Sequence, residues 1–239
     1  MFAILKKEFN SFFASPIAYL VMGVFLIING LFLWIFKDDF NILNAGFADL
    51  TAFFYLVPWM FLFLIPAITM KSFADEYNSG TIELLKTKPL SDWQIVLGKF
   101  FASLLLVLMA LIPTFTYVYS VYQLGNPVGN LDFASTTGSY IGLLFLASTY
   151  TAIGLFTSTL SKNQIIAFIL GAGITFIVFY GFDAIANSFG NDSLRIKKMG
   201  INEHFKSISR GVIDTRDILY FLSVTILFLF MTKTRLENE

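Results

Sequence analysis

The chain has no cysteine and one histidine, and only 13% of its 239 residues are charged. Without thiols there are no disulfides, no thiolate metal sites and no cysteine nucleophile, although this says nothing about compartment. One histidine rules out an H-E-x-x-H zinc motif, and neither a G-x-S-x-G elbow nor a G-x-x-x-x-G-K-S/T phosphate loop is present. No catalytic residue, metal site or resident cofactor is therefore expected, and the chain cannot grip ATP through a phosphate loop. His204, isolated in a polar segment, is expected to be an ordinary exposed surface residue. Lysine plus arginine balance aspartate plus glutamate at 16 each, so no nucleic-acid partner is expected. A soluble domain carries about a quarter charged residues. The shortfall means that much of the surface faces something other than water.

What fills the gap is apolar: 56% of the residues are hydrophobic, 29 of them phenylalanine, and the mean hydropathy is +0.73. A helix rises about 1.5 Å per residue, so roughly 20 apolar residues cross a hydrocarbon core. Backbone groups must be paired inside lipid, which leaves helices or a closed barrel. Barrel strands alternate; the run Val24-Phe25-Leu26-Ile27-Ile28 does not. The expected fold class is all-α, with spans over about 17–36, 50–70, 100–123, 138–160, 163–187 and 218–232. The first run is too long for the core of a cleaved signal and is expected to be a retained anchor. Residues 2–14 place Phe2, Leu5, Phe9, Phe12 and Phe13 at helical spacing against Lys6, Lys7, Glu8 and Asn10. That pattern predicts an interfacial helix before Pro16.

Lysine and arginine in short loops set orientation. Lys6, Lys7, Lys71, Lys86, Lys88, Lys99, Lys162, Lys233 and Arg235 all fall on one side, against Lys37 alone in the first two loops of the other. The expectation is that both termini are cytoplasmic, in a multi-pass protein of the inner membrane. The outer segment 188–217 works against this with six further basic residues, and short amphipathic helices are expected there.

The expected spans carry almost no charge, so self-contained ion coupling has little to work with. Asn29 and the prolines Pro58, Pro66 and Pro113 are the nearest substitutes, and the prolines read as kinks. Small residues at Gly138, Gly142, Ser148, Ala152, Gly154, Ala167, Gly171 and Gly173 suit close helix packing, within the chain or between subunits.

Information concentrates in the inner segment 71–99. Asn78-Ser79-Gly80 predicts a helix break, and a new short helix opens at Gly80 or Thr81 with Glu83 in its first turn. Lys86 and Lys88 are placed in its last turn, and Pro89 stops it. Ser91-Asp92-Trp93-Gln94 fits a capping box that starts the third span, with Leu90 and Ile95 placed for a hydrophobic staple. A second S-x-x-Q box, Ser161 to Gln164, is expected to cap the fifth span. Spacing alone leaves open a solvated loop with well-made caps.

The segment reads E-x-x-x-G-T-x-E-x-L-x-x-x-P from Glu76 to Pro89, followed by Gly98-Lys99. This resembles the signature of ABC-2-type permeases. Lys6-Lys7-Glu8-Phe9 with Ser15-Pro16-Ile17-Ala18-Tyr19 looks most like the gliding-motility-associated, GldF-type branch. The resemblance implies the permease subunit of an export complex. It implies that Glu76, Gly80, Thr81, Glu83, Leu85 and Pro89 belong to a coupling helix that docks on a separate ABC ATPase. ATP is then used by that partner. A second permease subunit, identical or not, and a membrane-anchored auxiliary subunit are further implied partners, beside the lipid bilayer. Two rivals remain: a non-transporting scaffold of a motility or secretion assembly, and an ion-coupled carrier.

Overall fold

Uncharged runs become helices throughout the computed structural model, which describes residues 1–188 and 193–238. The helices are α1 (Phe2–Ala14), α2 (Ile17–Gly30), α3 (Thr51–Thr69), α4 (Lys71–Ser79), α5 (Thr81–Lys86), α6 (Asp92–Leu111), α7 (Phe115–Leu124), α8 (Phe133–Ser158), α9 (Gln164–Phe176), α10 (Phe182–Ser188), α11 (Ser193–Lys197), α12 (Ile201–Ser209) and α13 (Thr215–Glu237). Among the described residues there is no strand. Six stretches are long and apolar enough to cross a membrane: Ile17–Ile35, Thr51–Ser79, Asp92–Leu124, Phe133–Ser158, Gln164–Asn187 and Thr215–Glu237. With six crossings, α1, α5 and the chain's end share one side, called here the terminus side. The loop before α8 and the helices α11 and α12 lie on the far side.

Local chemistry explains how the prolines are accommodated. Pro113 has no N–H to give, and there a 3₁₀ turn, Ile112–Thr114, joins α6 to α7. The Thr114 hydroxyl donates to the Leu111 carbonyl at 2.6 Å. In α3, which contains Pro58 and Pro66, Thr69 Oγ1 donates to the carbonyl of Ile65 at 3.0 Å. Of the three prolines, Pro113 coincides with a break in the α-helix, whereas α3 runs on through Pro58 and Pro66.

The spans are not equivalent. In the fourth, 72% of the apolar window is buried within the chain, against 22% in the fifth. Helix α8 is the axis: α3, α6, α9, α12 and α13 all pack on it. Lipid tails are as apolar as leucine, so close packing must supply what the hydrophobic effect supplies in water. Glycines allow it. A Cβ on Gly154 would collide with Thr69 of α3, and one on Gly171 would lie 3.0 Å from Thr157 and 3.2 Å from Pro66. Gly173 faces open space and takes no part.

Several expectations need correction. Helix α8 starts at Phe133 rather than 138, because Asp132 caps it by accepting from the Ala134 and Ser135 amides. The sixth span is not a short run of 15 residues. Asp214 caps it and it continues through Lys233 to Glu237, since charged residues are good helix formers outside the apolar window. The fifth span is capped by Asn163, whose side chain accepts from the Ile165 amide, while Ser161 Oγ accepts from Asn163. The two-residue shift follows from asparagine being itself a strong N-cap. Short helices do form in the outer segment at α11 and α12, and residues 189–192 of that segment lie outside the described residues.

Candidate functional site

Helix α4 ends because Gly80 adopts φ +68°, a left-handed conformation that costs a side-chain-bearing residue about 1–2 kcal/mol. Nothing lies within 4 Å of where a Gly80 Cβ would sit, so the glycine answers to backbone geometry alone. The chain reverses and α5 begins at Thr81, with Glu83 in its first turn and Lys86 in its last. Lys88 lies beyond the helix, which ends at Lys86 rather than running up to Pro89. The capping box at Ser91 and Gln94 forms as the sequence predicts, with both reciprocal hydrogen bonds present.

Gly80, Thr81, Glu83, Leu84 and Pro89 are exposed, while Ile82 and Leu85 pack against the core. Helix α5 therefore shows an accessible face, polar but for Leu84, and sits on the bundle by Ile82 and Leu85. Beside it is a cleft of about 460 Å³ lined by Gly80, Glu83, Lys86, the Thr159–Lys162 turn and Arg235. Lys86 Nζ donates to the carbonyl of Leu236 at 2.6 Å, tying α5 to the end of the sixth span. Gln164 Nε2 donates to Asp75 Oδ1 and ties α4 to the fifth.

Glu76 is different in kind from the rest of the motif. It faces inward, with a side chain 12% exposed, and meets Lys99 at 3.0 Å. Lys99 is 1% exposed, on the second turn of α6. Its ammonium has three donors. They meet Glu76 Oε1 at 3.0 Å, Glu8 Oε1 of α1 at 3.0 Å and the Ser72 carbonyl of α4 at 2.6 Å. Lys7 closes the network at 3.6 Å from Glu8 and 3.5 Å from Glu76. Two cations and two carboxylates balance, which makes a buried charge tolerable. Glu76 Oε2 is left buried without a hydrogen bond among the described residues.

This node lies just outside the expected spans, at residues 7, 8, 76 and 99, and sequence reasoning missed it. The signal available was the pair Gly98-Lys99. A Cβ on Gly98 would fall 2.9 Å from Ile4, so the glycine lets α1 cross α6 closely enough for Glu8 to reach Lys99. The charges lie at the terminus-side end of the spans, not at mid-depth. Asn29, the mid-span candidate, donates to the Phe25 carbonyl at 2.8 Å and to Met60 Sδ at 3.2 Å, which is a packing role.

His204 is also not the exposed residue expected. Its Nδ1 lies 2.6 Å from Asp217 Oδ1, its Nε2 2.9 Å from the Lys198 carbonyl, and its ring stacks on Tyr220 at 3.9 Å. The reason is tertiary: α12 folds back onto the start of α13, where Asp217 is buried.

Six helices long and apolar enough to cross a membrane, with a short accessible helix wired to several of them, define a polytopic membrane protein. The chain belongs to the ABC-2 family of transporter proteins, whose family model matches residues 2–223. A comparison with curated proteins finds no match.

Proposed function

We propose that this chain is the membrane permease subunit of an ABC-2-type export complex, driven by a separate ATPase that docks on α5. The observation that carries the reading is the wiring of the segment: an exposed helical face rigidly joined to the spans behind it. Gly80, Thr81, Glu83 and Pro89 form the surface a partner meets, and Leu85 seats the helix on the bundle. Glu76 transmits force to α6 and α1 through Lys99 and Glu8. Lys86 carries the stroke to the sixth span through Leu236, and Asp75 carries it to the fifth through Gln164. A displacement of α5 then moves several spans together.

In this reading the terminus side is cytoplasmic and the membrane is the inner one. ATP is bound and hydrolysed by the partner, and this chain supplies no cofactor site. A second permease subunit completes the path. The opening residues Lys6 to Phe9 and Ser15 to Tyr19 support the gliding-motility branch, with its membrane-anchored auxiliary subunit. Ion coupling within the chain is less well supported, because its buried charges are neutralised in pairs away from mid-depth.

The test is ATP hydrolysis by the reconstituted complex. Glu83→Gln and Gly80→Ala leave insertion intact and abolish hydrolysis stimulated by the permease. Unaltered stimulation and activity in the double variant would overturn the assignment of α5. Turnover of ATP by the purified chain alone would overturn the division of labour.

A further inference from the structure

At the far-side ends of the second and fifth spans, a cleft of about 290 Å³ opens between α3, α10 and α12. Its depth is aromatic. Trp59 forms the wall from α3, held edge-on by Phe179 at 5.5 Å and tilted against Tyr180 at 5.7 Å, while Tyr55 lines the same cleft from an exposed position. Its rim is charged, and the charges are not used up. Asp183 is engaged by Asn202 at 2.5 Å and lies 3.9 Å from Lys206. Glu203 and Lys197 line the cleft half-buried, with no hydrogen-bond or ion-pair partner for either side chain among the described residues.

Half-buried charges of opposite sign are costly unless water or a ligand answers them. A carboxylate beside tryptophan and tyrosine faces suits an ammonium group, which gains both an ion pair and attraction to the rings. A lysine at the same rim suits an anion. Tryptophan and tyrosine collect at the headgroup level of a bilayer, and this cleft opens toward the far-side ends of two spans.

We propose that the cleft binds a zwitterion, its ammonium among Trp59, Tyr180 and Glu203 and its anionic group on Lys197. The chemistry is that of a phosphoethanolamine group, carried either by a membrane lipid or by a free solute. The proposal is independent of how α5 is driven.

The chain has three tryptophans, so Trp34→Phe with Trp93→Phe leaves Trp59 as the reporter in the full-length protein. In mixed micelles, brominated-chain phosphatidylethanolamine quenches Trp59 with an apparent affinity about tenfold above that of brominated phosphatidylglycerol, the worth of one charge-assisted contact. Glu203→Gln and Lys197→Gln each reduce that preference, and together they remove it. Displacement by soluble phosphoethanolamine identifies a free solute as the source, and persistence of the quenching identifies the lipid. Equal quenching by the two lipids overturns the proposal, as does a preference that survives both substitutions. The lipid comparison in the otherwise unsubstituted chain stands even if a variant fails to fold.

Discussion

Two short amphipathic helices lie outside the spans at opposite ends of this molecule, and they are held in opposite ways. On the far side, α12 is keyed into α8. A Cβ on Gly138 would fall 2.6 Å from the Ile208 carbonyl and one on Gly142 3.1 Å from Phe205, and Ser135 Oγ donates to the Ser209 carbonyl at 2.8 Å. Ile201, Phe205 and Ile208 are buried, and His204 joins the helix to α13 through Asp217. On the terminus side, α5 buries no residue fully: Ile82 and Leu85 rest on the core only part-buried, and the helix is otherwise held by Lys86, by the turn at Gly80 and by the charge node behind α4. A helix packed into glycine notches moves only with its support. A helix resting lightly and tied by polar contacts presents a face and passes on what pushes it.

The largest break in this comparison comes from the node. Lys99→Met leaves Glu8 and Glu76 with only the exposed Lys7 to answer two carboxylates, at a cost of about 3 kcal/mol. The midpoint of thermal unfolding in detergent should fall accordingly. An unchanged midpoint would mean that water, not Lys99, satisfies the two carboxylates.

Next comes the far side. Gly138→Val pushes α12 off α8 and costs about 2 kcal/mol. Hydrogen exchange should rise across Ile201–Ser209 while α5 is unaffected. Equal loosening at both ends would show the two helices to be coupled, against the contrast drawn here.

A smaller effect is expected at the tether. Lys86→Met removes a charge-assisted hydrogen bond to Leu236 that is only partly buried, worth about 1 kcal/mol. The amides of α5 should exchange faster with little change in the unfolding midpoint. The smallest structural effect belongs to Glu83→Gln, on the exposed face. It should leave the midpoint where it was and still abolish partner-stimulated hydrolysis. A fall in stability there would make Glu83 part of the scaffold rather than of the docking surface.

Sequence and structure agree best where a few neighbouring residues decide the outcome. Run length and the absence of charge determine that the chain crosses the membrane six times. A left-handed turn suited to Gly80 and a reciprocal cap at Ser91 and Gln94 set the bounds around α5, because each depends on atoms within four positions. At Ser161 two local signals compete, and Asn163 takes the cap. Local rules also fell short at the sixth span, where helix continues past the apolar run into charged residues.

What the tertiary structure alone decided is which distant groups meet. Lys99 reads as a loop-side cation until α1 crosses it at Gly98 and brings Glu8 across 91 positions of chain. His204 reads as a surface residue until α12 folds back onto Asp217. Hydropathy and helix propensity are properties of a segment, whereas the partner of a buried charge depends on where two helices cross, and no window of sequence contains both.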